Sequence, residues 1–199
     1  MPRKQTLLGG LAAAIMLAVA AAPSAANRLS INSREWTATW REMRLSGGFG
    51  STTCTLTLEG AFHNRTFAKT RSSLIGYVTA ASTTGCGAFA ATVLREALPW
   101  HVQYESFTGT LPNIATMVMK IIGFEFKIRE GLGIECLFRS TEARPLLDTL
   151  NREASSVVRT TTLSGTLRSE TCGLEDTFSG SSTSFTIPPP PTAISLSLI

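Results

Sequence analysis

"TCTLTLEGAF", residues 53–62, places Cys54, Leu56, Leu58, Gly60 and Phe62 on one side and Thr53, Thr55, Thr57 and Glu59 on the other. A period of two with one dry and one wet face is the signature of a half-buried strand. "EWTATW", residues 35–40, repeats it with Trp36, Ala38 and Trp40 against Thr37 and Thr39, and the pattern then slips by one before Met43 and Leu45, which predicts a bulge. "SSLIGYVTAA", "AFAATVL", "TTTLSGTLRS" and "TFSGSSTSFTI" are further β-rich runs between turn-forming "TTGCG" and "GLG" stretches. The longest run, "IATMVMKIIGFEFKIR" at 114–129, is apolar on both faces in its middle and reads as one central or sharply coiled strand.

Only "RPLLDTLNREASSVV" competes for helix. Leu146, Leu147, Leu150 and Ala154 fall at helical spacing after Pro145, with Asp148 outside, so a short helix is expected near 146–154. The fold class is therefore all-β: an antiparallel barrel, or alternatively a β-sandwich, of roughly eight to ten strands with at most that one helix. "PPPPTAISLSLI" ends the chain with a proline spacer at 188–191, unable to donate ladder hydrogen bonds, and a last strand at 192–199 that closes or caps the sheet.

The first 26 residues carry the three parts of a secretory signal. "MPRKQT" is basic, "LLGGLAAAIMLAVA" is uncharged and too short for a comfortable bilayer span, and "AAPSAA" offers small residues for cleavage before Asn27, with a cut after Ala22 or an uncleaved anchor as alternatives. Residues 27–199 then form a single β domain, secreted or held in the cell envelope and not transmembrane. An outer-membrane barrel is disfavoured by the scarcity of interfacial aromatics. Loss of Arg3 and Lys4 turns 18 basic against 14 acidic side chains into 16 against 14, so the charge gives no reason to expect nucleic acid as a partner.

The four cysteines, all beyond the leader, imply two disulfides in an oxidising compartment. Four cysteines allow three pairings. Cys54–Cys86 and Cys136–Cys172 are preferred because each bridges a few neighbouring strands. No Cys-x-x-Cys pair and no adjacent histidine supports zinc, and no metal or cofactor is expected. Hydrolase elbows, phosphate loops and dinucleotide fingerprints are absent from the sequence. One constellation of reactive groups remains. In "LPWHVQYESF", residues 98–107, parity sends Trp100, Val102 and Tyr104 inward and His101, Gln103 and Glu105 outward, while Glu59 and His63 share a face on the earlier strand. Were those strands neighbours, Glu59, His63, His101 and Glu105 would form a metal or acid/base cluster; otherwise they are polar residues facing water, and no catalytic residue is assigned. Each of the three tryptophans lies on the apolar side of its alternation, which favours core packing over stacking on sugars.

"TCTLTLEGAFHNRTFAK", "LIGYVT", "ATVLREALPWHVQYESFTGTLPNI" and the terminal "ISLSLI" together resemble a group of uncharacterised secreted β-rich proteins of high-GC actinobacteria, most specifically in "LPWHVQYESFTGTLPNI". The resemblance implies a bacterial envelope or extracellular setting and brings no activity, cofactor or catalytic residue. Three functions are thus expected, in this order. The first is a non-catalytic binding module, for a small apolar ligand if the barrel is hollow or for an envelope component. The second is a structural or surface-interaction protein, marked by a filled barrel. The third is a hydrolase or metalloenzyme, marked by convergence of the His/Glu cluster.

Overall fold

The alternating run becomes the strand Gly50–Phe62, with Cys54, Leu56, Leu58, Gly60 and Phe62 all buried. The computed structural model describes residues 28–48, 50–87, 90–110, 113–129, 133–152, 157–182, 184–187 and 192–198. The expected leader at 1–26 and the proline spacer at 188–191 lie outside the described residues. In chain order the strands are β1 (Arg28–Ile31), β2 (Glu35–Gly47), β3 (Gly50–Phe62), β4 (Thr66–Ala68), β5 (Leu74–Thr84), β6 (Ala90–Val93), β7 (Trp100–Thr110) and β8 (Asn113–Ile122). They continue with β9 (Glu125–Arg129), β10 (Glu135–Arg139), β11 (Leu146–Arg152), β12 (Val157–Ser169), β13 (Glu175–Ser182), β14 (Ser184–Ile187) and β15 (Thr192–Leu198). One short 3-10 turn, Arg95–Ala97, precedes β7.

Hydrogen bonds close a ring of eight antiparallel strands, running β2, β3, β5, β7, β8, β11, β12 and β13 before returning to β2. The ring follows chain order, so it is an up-and-down meander, and closure leaves none of these strands as a free edge. The expected slip in β2 is present as a register shift between Trp40 and Met43. Inward positions hold Trp36, Trp40, Met43, Leu58, Val78, Trp100, Met119, Leu163 and Phe178, none more than 1% exposed. Gly60 is small for a reason: a Cβ there would sit 2.4 Å from the Trp36 ring, which lies over it.

Two local expectations are corrected. The segment expected as a helix near 146–154 is strand β11, paired with β8 on one side and β12 on the other. Leu146 and Leu150 satisfy a period of two as well as a helical one, and the neighbouring strands supply the hydrogen bonds that decide between them. Asp148, placed outside by the helical reading, therefore faces inward between those two leucines and is wholly buried. The long run 114–129 is two strands rather than one, broken at Gly123, whose φ of 88° is a left-handed conformation that suits glycine.

The remaining seven strands close the ends of the ring. At one end, the excursion carrying β6, β9 and β10 docks through the pairs Phe138↔Ser169 and Arg139↔Arg168 onto β12. Phe124, Phe126 and Phe138 from this excursion surround Phe178, with ring centroids 5.4–6.0 Å away. Trp100 meets Phe124 at 5.0 Å. Both disulfides lie here, with Cα–Cα distances of 4.2 Å for Cys54–Cys86 and 5.5 Å for Cys136–Cys172. At the other end, β1 pairs with both β4 and β15, so that Leu29 lies opposite Phe67 and Leu198. β15 pairs in turn with β12 and β14, bringing the two ends of the folded domain into one small sheet.

Candidate functional site

On the outer wall, β5 lies between β3 and β7, and the register aligns Ala61, Tyr77 and His101 in one row. Tyr77 projects outward there, half-buried, with the His63 ring 4.9 Å away on one side and the His101 ring 5.5 Å away on the other. The two histidines are thus brought to one aromatic residue, and both remain exposed.

The two glutamates are not brought to them. Glu59 pairs across β5 with Ala80, whereas Glu105 lies beyond the Leu74↔Gln103 pair, so most of the length of β5 separates them. Glu105 occupies a bulge in β7, where register shifts between Tyr104 and Ser106. It binds Arg71, and Lys120 Nζ is 2.7 Å from its other oxygen. The Arg71 hydrogen bond, helped by Lys120 and opposed by partial burial, holds the Glu105 carboxyl below the usual carboxylate range. A carboxylate committed to two cations is poorly suited to take a proton at neutral pH. Lys120 also donates to Ser72 Oγ at 3.2 Å, and the Ser72 N–H donates to the Tyr104 carbonyl at 2.7 Å, which clamps the β4–β5 loop to the wall. Ser72 itself is held in the left-handed region at φ 61°. Among the described residues no group of three His, Cys, Asp or Glu side chains is arranged to hold a metal ion.

Sequence reasoning missed three polar features. Asp148 accepts a hydrogen bond from the Thr161 hydroxyl on β12, while its Oδ2 has no hydrogen-bond partner among the described residues. Burial pushes its carboxyl up to about 7, against the opposing pull of Thr161. A strand reading of "LLDTL" would have found it, since Asp148 shares parity with Leu146 and Leu150. Lys120, the one cation of β8, carried a visible signal but no visible partner. The third feature is a cluster of arginines at the stapled end, around a cavity of about 510 Å³ lined by Arg139, Arg144 and Arg168. A second outer cavity, about 290 Å³, lies beside Glu59 and Arg95.

Fold and wall together define a disulfide-stapled, closed antiparallel β-barrel domain with an apolar interior and a hydroxyl-rich outside. No protein-family model, no curated protein and no solved structure matches this chain.

Proposed function

We propose that the chain is exported and works as a non-catalytic surface-interaction module at the cell envelope or outside the cell. The observation that carries this reading is the filled interior: Trp36, Trp40, Trp100 and Phe178 occupy the space in which a carrier of small apolar ligands would hold its cargo. Binding on this reading uses the outer wall. That wall is polar, with Thr37, Thr39, Thr55, Thr57 and Ser82 facing outward on β2, β3 and β5. An apolar interior behind a polar outside is the reverse of a lipid-spanning barrel. Among the described residues no helix is long and apolar enough to cross a membrane. Two disulfides suit an oxidising compartment. Glu59 and Glu105 lie apart from His63 and His101, so the His/Glu cluster that marked the hydrolase or metalloenzyme alternative is not assembled.

The test is to express the full chain with its leader in a bacterial host, fractionate the cells, and mix the purified mature protein with isolated envelopes. Recovery outside the cytoplasm with a processed N-terminus, and saturable co-sedimentation with envelopes, are the expected results. Cytoplasmic recovery with an intact N-terminus, or a stoichiometric divalent metal in the purified protein, would contradict the proposal.

A further inference from the structure

β10 meets β12 through only two residue pairs, and one of them sets Arg139 directly opposite Arg168. Phe138 and Ser169 of the other pair are buried, so both arginines project together to the outside. Like charges directly opposed across an antiparallel ladder are about 5 Å apart at Cβ and destabilise it. The ladder places this pair in the wall of the 510 Å³ cavity, whose other charged linings are Arg144 and Glu170. Three guanidinium groups thus face one carboxylate.

Two of the three guanidinium groups are paired with acids, which leaves Arg168 as the one whose charge is not met by a carboxylate among the described residues. Arg139 donates through Nε to Glu125 at 2.6 Å and lies 3.7 Å from Glu170, and Arg144 pairs with Glu175. Glu125 and Glu175 lie outside the cavity lining. Among the described residues Arg168 has no ion pair. The cavity wall is also fixed in place. The Ser169 hydroxyl accepts from Cys172 N at 3.1 Å, Glu170 N donates to the Leu137 carbonyl at 3.0 Å, and the Cys136–Cys172 bridge ties this turn to β10. Groups held this way lose little freedom when a ligand arrives.

We infer that this cavity binds a phosphate monoester, with Arg168 as the principal ligand and Arg144 and Arg139 completing the cradle. The planar fork of arginine matches phosphate oxygens in pairs. The volume exceeds what a bare phosphate fills, leaving room for an organic body beside Thr141 and Gly173. The site goes beyond the surface-interaction reading and does not depend on where the chain is exported.

Calorimetric titration of the oxidised mature protein with inorganic phosphate and with glycerol phosphate, at matched ionic strength and with glycerol as the neutral control, tests the site. Saturable binding is expected for glycerol phosphate, weakened about tenfold or more by Arg168→Gln and unchanged by Arg71→Gln at the far end of the barrel. Tighter binding of the ester than of inorganic phosphate is expected if the organic body fills the cavity, and equal binding identifies free phosphate as sufficient. Without phosphate, Arg168→Gln is expected to melt no lower than wild type, because it relieves the Arg139–Arg168 repulsion, so lost binding in that variant is not lost folding. Absence of saturable binding by either probe, or equal affinity in Arg168→Gln, overturns the inference.

Discussion

The two ends of the barrel are closed by different means. One carries the β6–β9–β10 excursion, its aromatic cluster around Phe178 and both disulfides. The other is closed by β1, β4 and β15, joined among the described residues without a disulfide, by backbone pairing and by the packing of Leu29, Ile31 and Phe67, the last stacked on Phe62. The excursion end has to retain inserted segments that touch the ring through few pairs, only two between β10 and β12. Covalent ties suit such segments, because a bridge limits the unfolded chain without needing a long ladder. The other end gathers the two ends of the folded domain, where pairing of β15 with β1, β12 and β14 shares the task among several strands.

Removing the bridges has the largest expected effect. The closed loops span 32 and 36 residues, so replacing either cysteine pair by serine is expected to cost about 4 kcal/mol in denaturant unfolding. Loss of Cys136–Cys172 should loosen the arginine cavity as well. Mass spectrometry without reductant should find no free thiol; alkylation of all four cysteines in the native protein would remove the basis of the contrast.

The next effect belongs to neither end. Asp148, on the barrel wall, keeps its proton up to about pH 7, whereas the unfolded chain releases it near the ordinary aspartate value of 3.8. A raised acid pKa means that the fold binds more proton than the unfolded chain between those limits. This contribution therefore makes stability fall as pH rises from about 4 to about 7 and stay level above, a loss on the order of 4 kcal/mol. Asp148→Asn should flatten that slope, melting higher than wild type at about pH 8 and close to it at about pH 4. Equal melting at both pH values would show that the carboxyl is not held neutral by burial.

Truncation before Thr192 tests the unstapled end. It removes β15 and leaves edges of β1 and β12 unpaired, so aggregation and a lower melting temperature are expected, with a smaller loss than removal of a bridge. A soluble truncated chain with unchanged melting would show that β1 and β4 suffice there. The smallest effect is at Glu105, which clamps the β4–β5 loop at the same end. Glu105→Gln should cost about 1 kcal/mol or less at neutral pH. Its lowered carboxyl pKa means that this contribution is lost as pH falls below about 4.5, the opposite sign to Asp148.

Much of the barrel was legible because period-two alternation is a local signal. Thr53 to Phe62 and Trp36 to Trp40 declare their faces without reference to other strands, and the slip before Met43 marks the bulge. The segment at 146–152 reads as a helix because Leu146 and Leu150 satisfy both periods, and only pairing with β8 and β12 selects the strand. Gly123 breaks the long run by a backbone conformation that apolar patterning does not encode. That His63 and His101 both meet Tyr77 depends on β5 lying between β3 and β7, a non-local fact, and the commitment of Glu105 depends on Lys120 arriving from a neighbouring strand. The Arg139–Arg168 pair was least legible: its register is set by two residue pairs far apart in sequence and leaves no local trace.

The barrel interior is filled by side chains, and on the proposed reading binding uses the outer surface. The most direct test is a titration of the native protein with a neutral naphthylamine dye that fluoresces in apolar cavities, while the emission of Trp36, Trp40 and Trp100 is followed. The expected result is blue-shifted tryptophan emission that resists acrylamide quenching and does not change as the dye is added. Saturable dye binding accompanied by energy transfer from the tryptophans would reveal an accessible interior and contradict it.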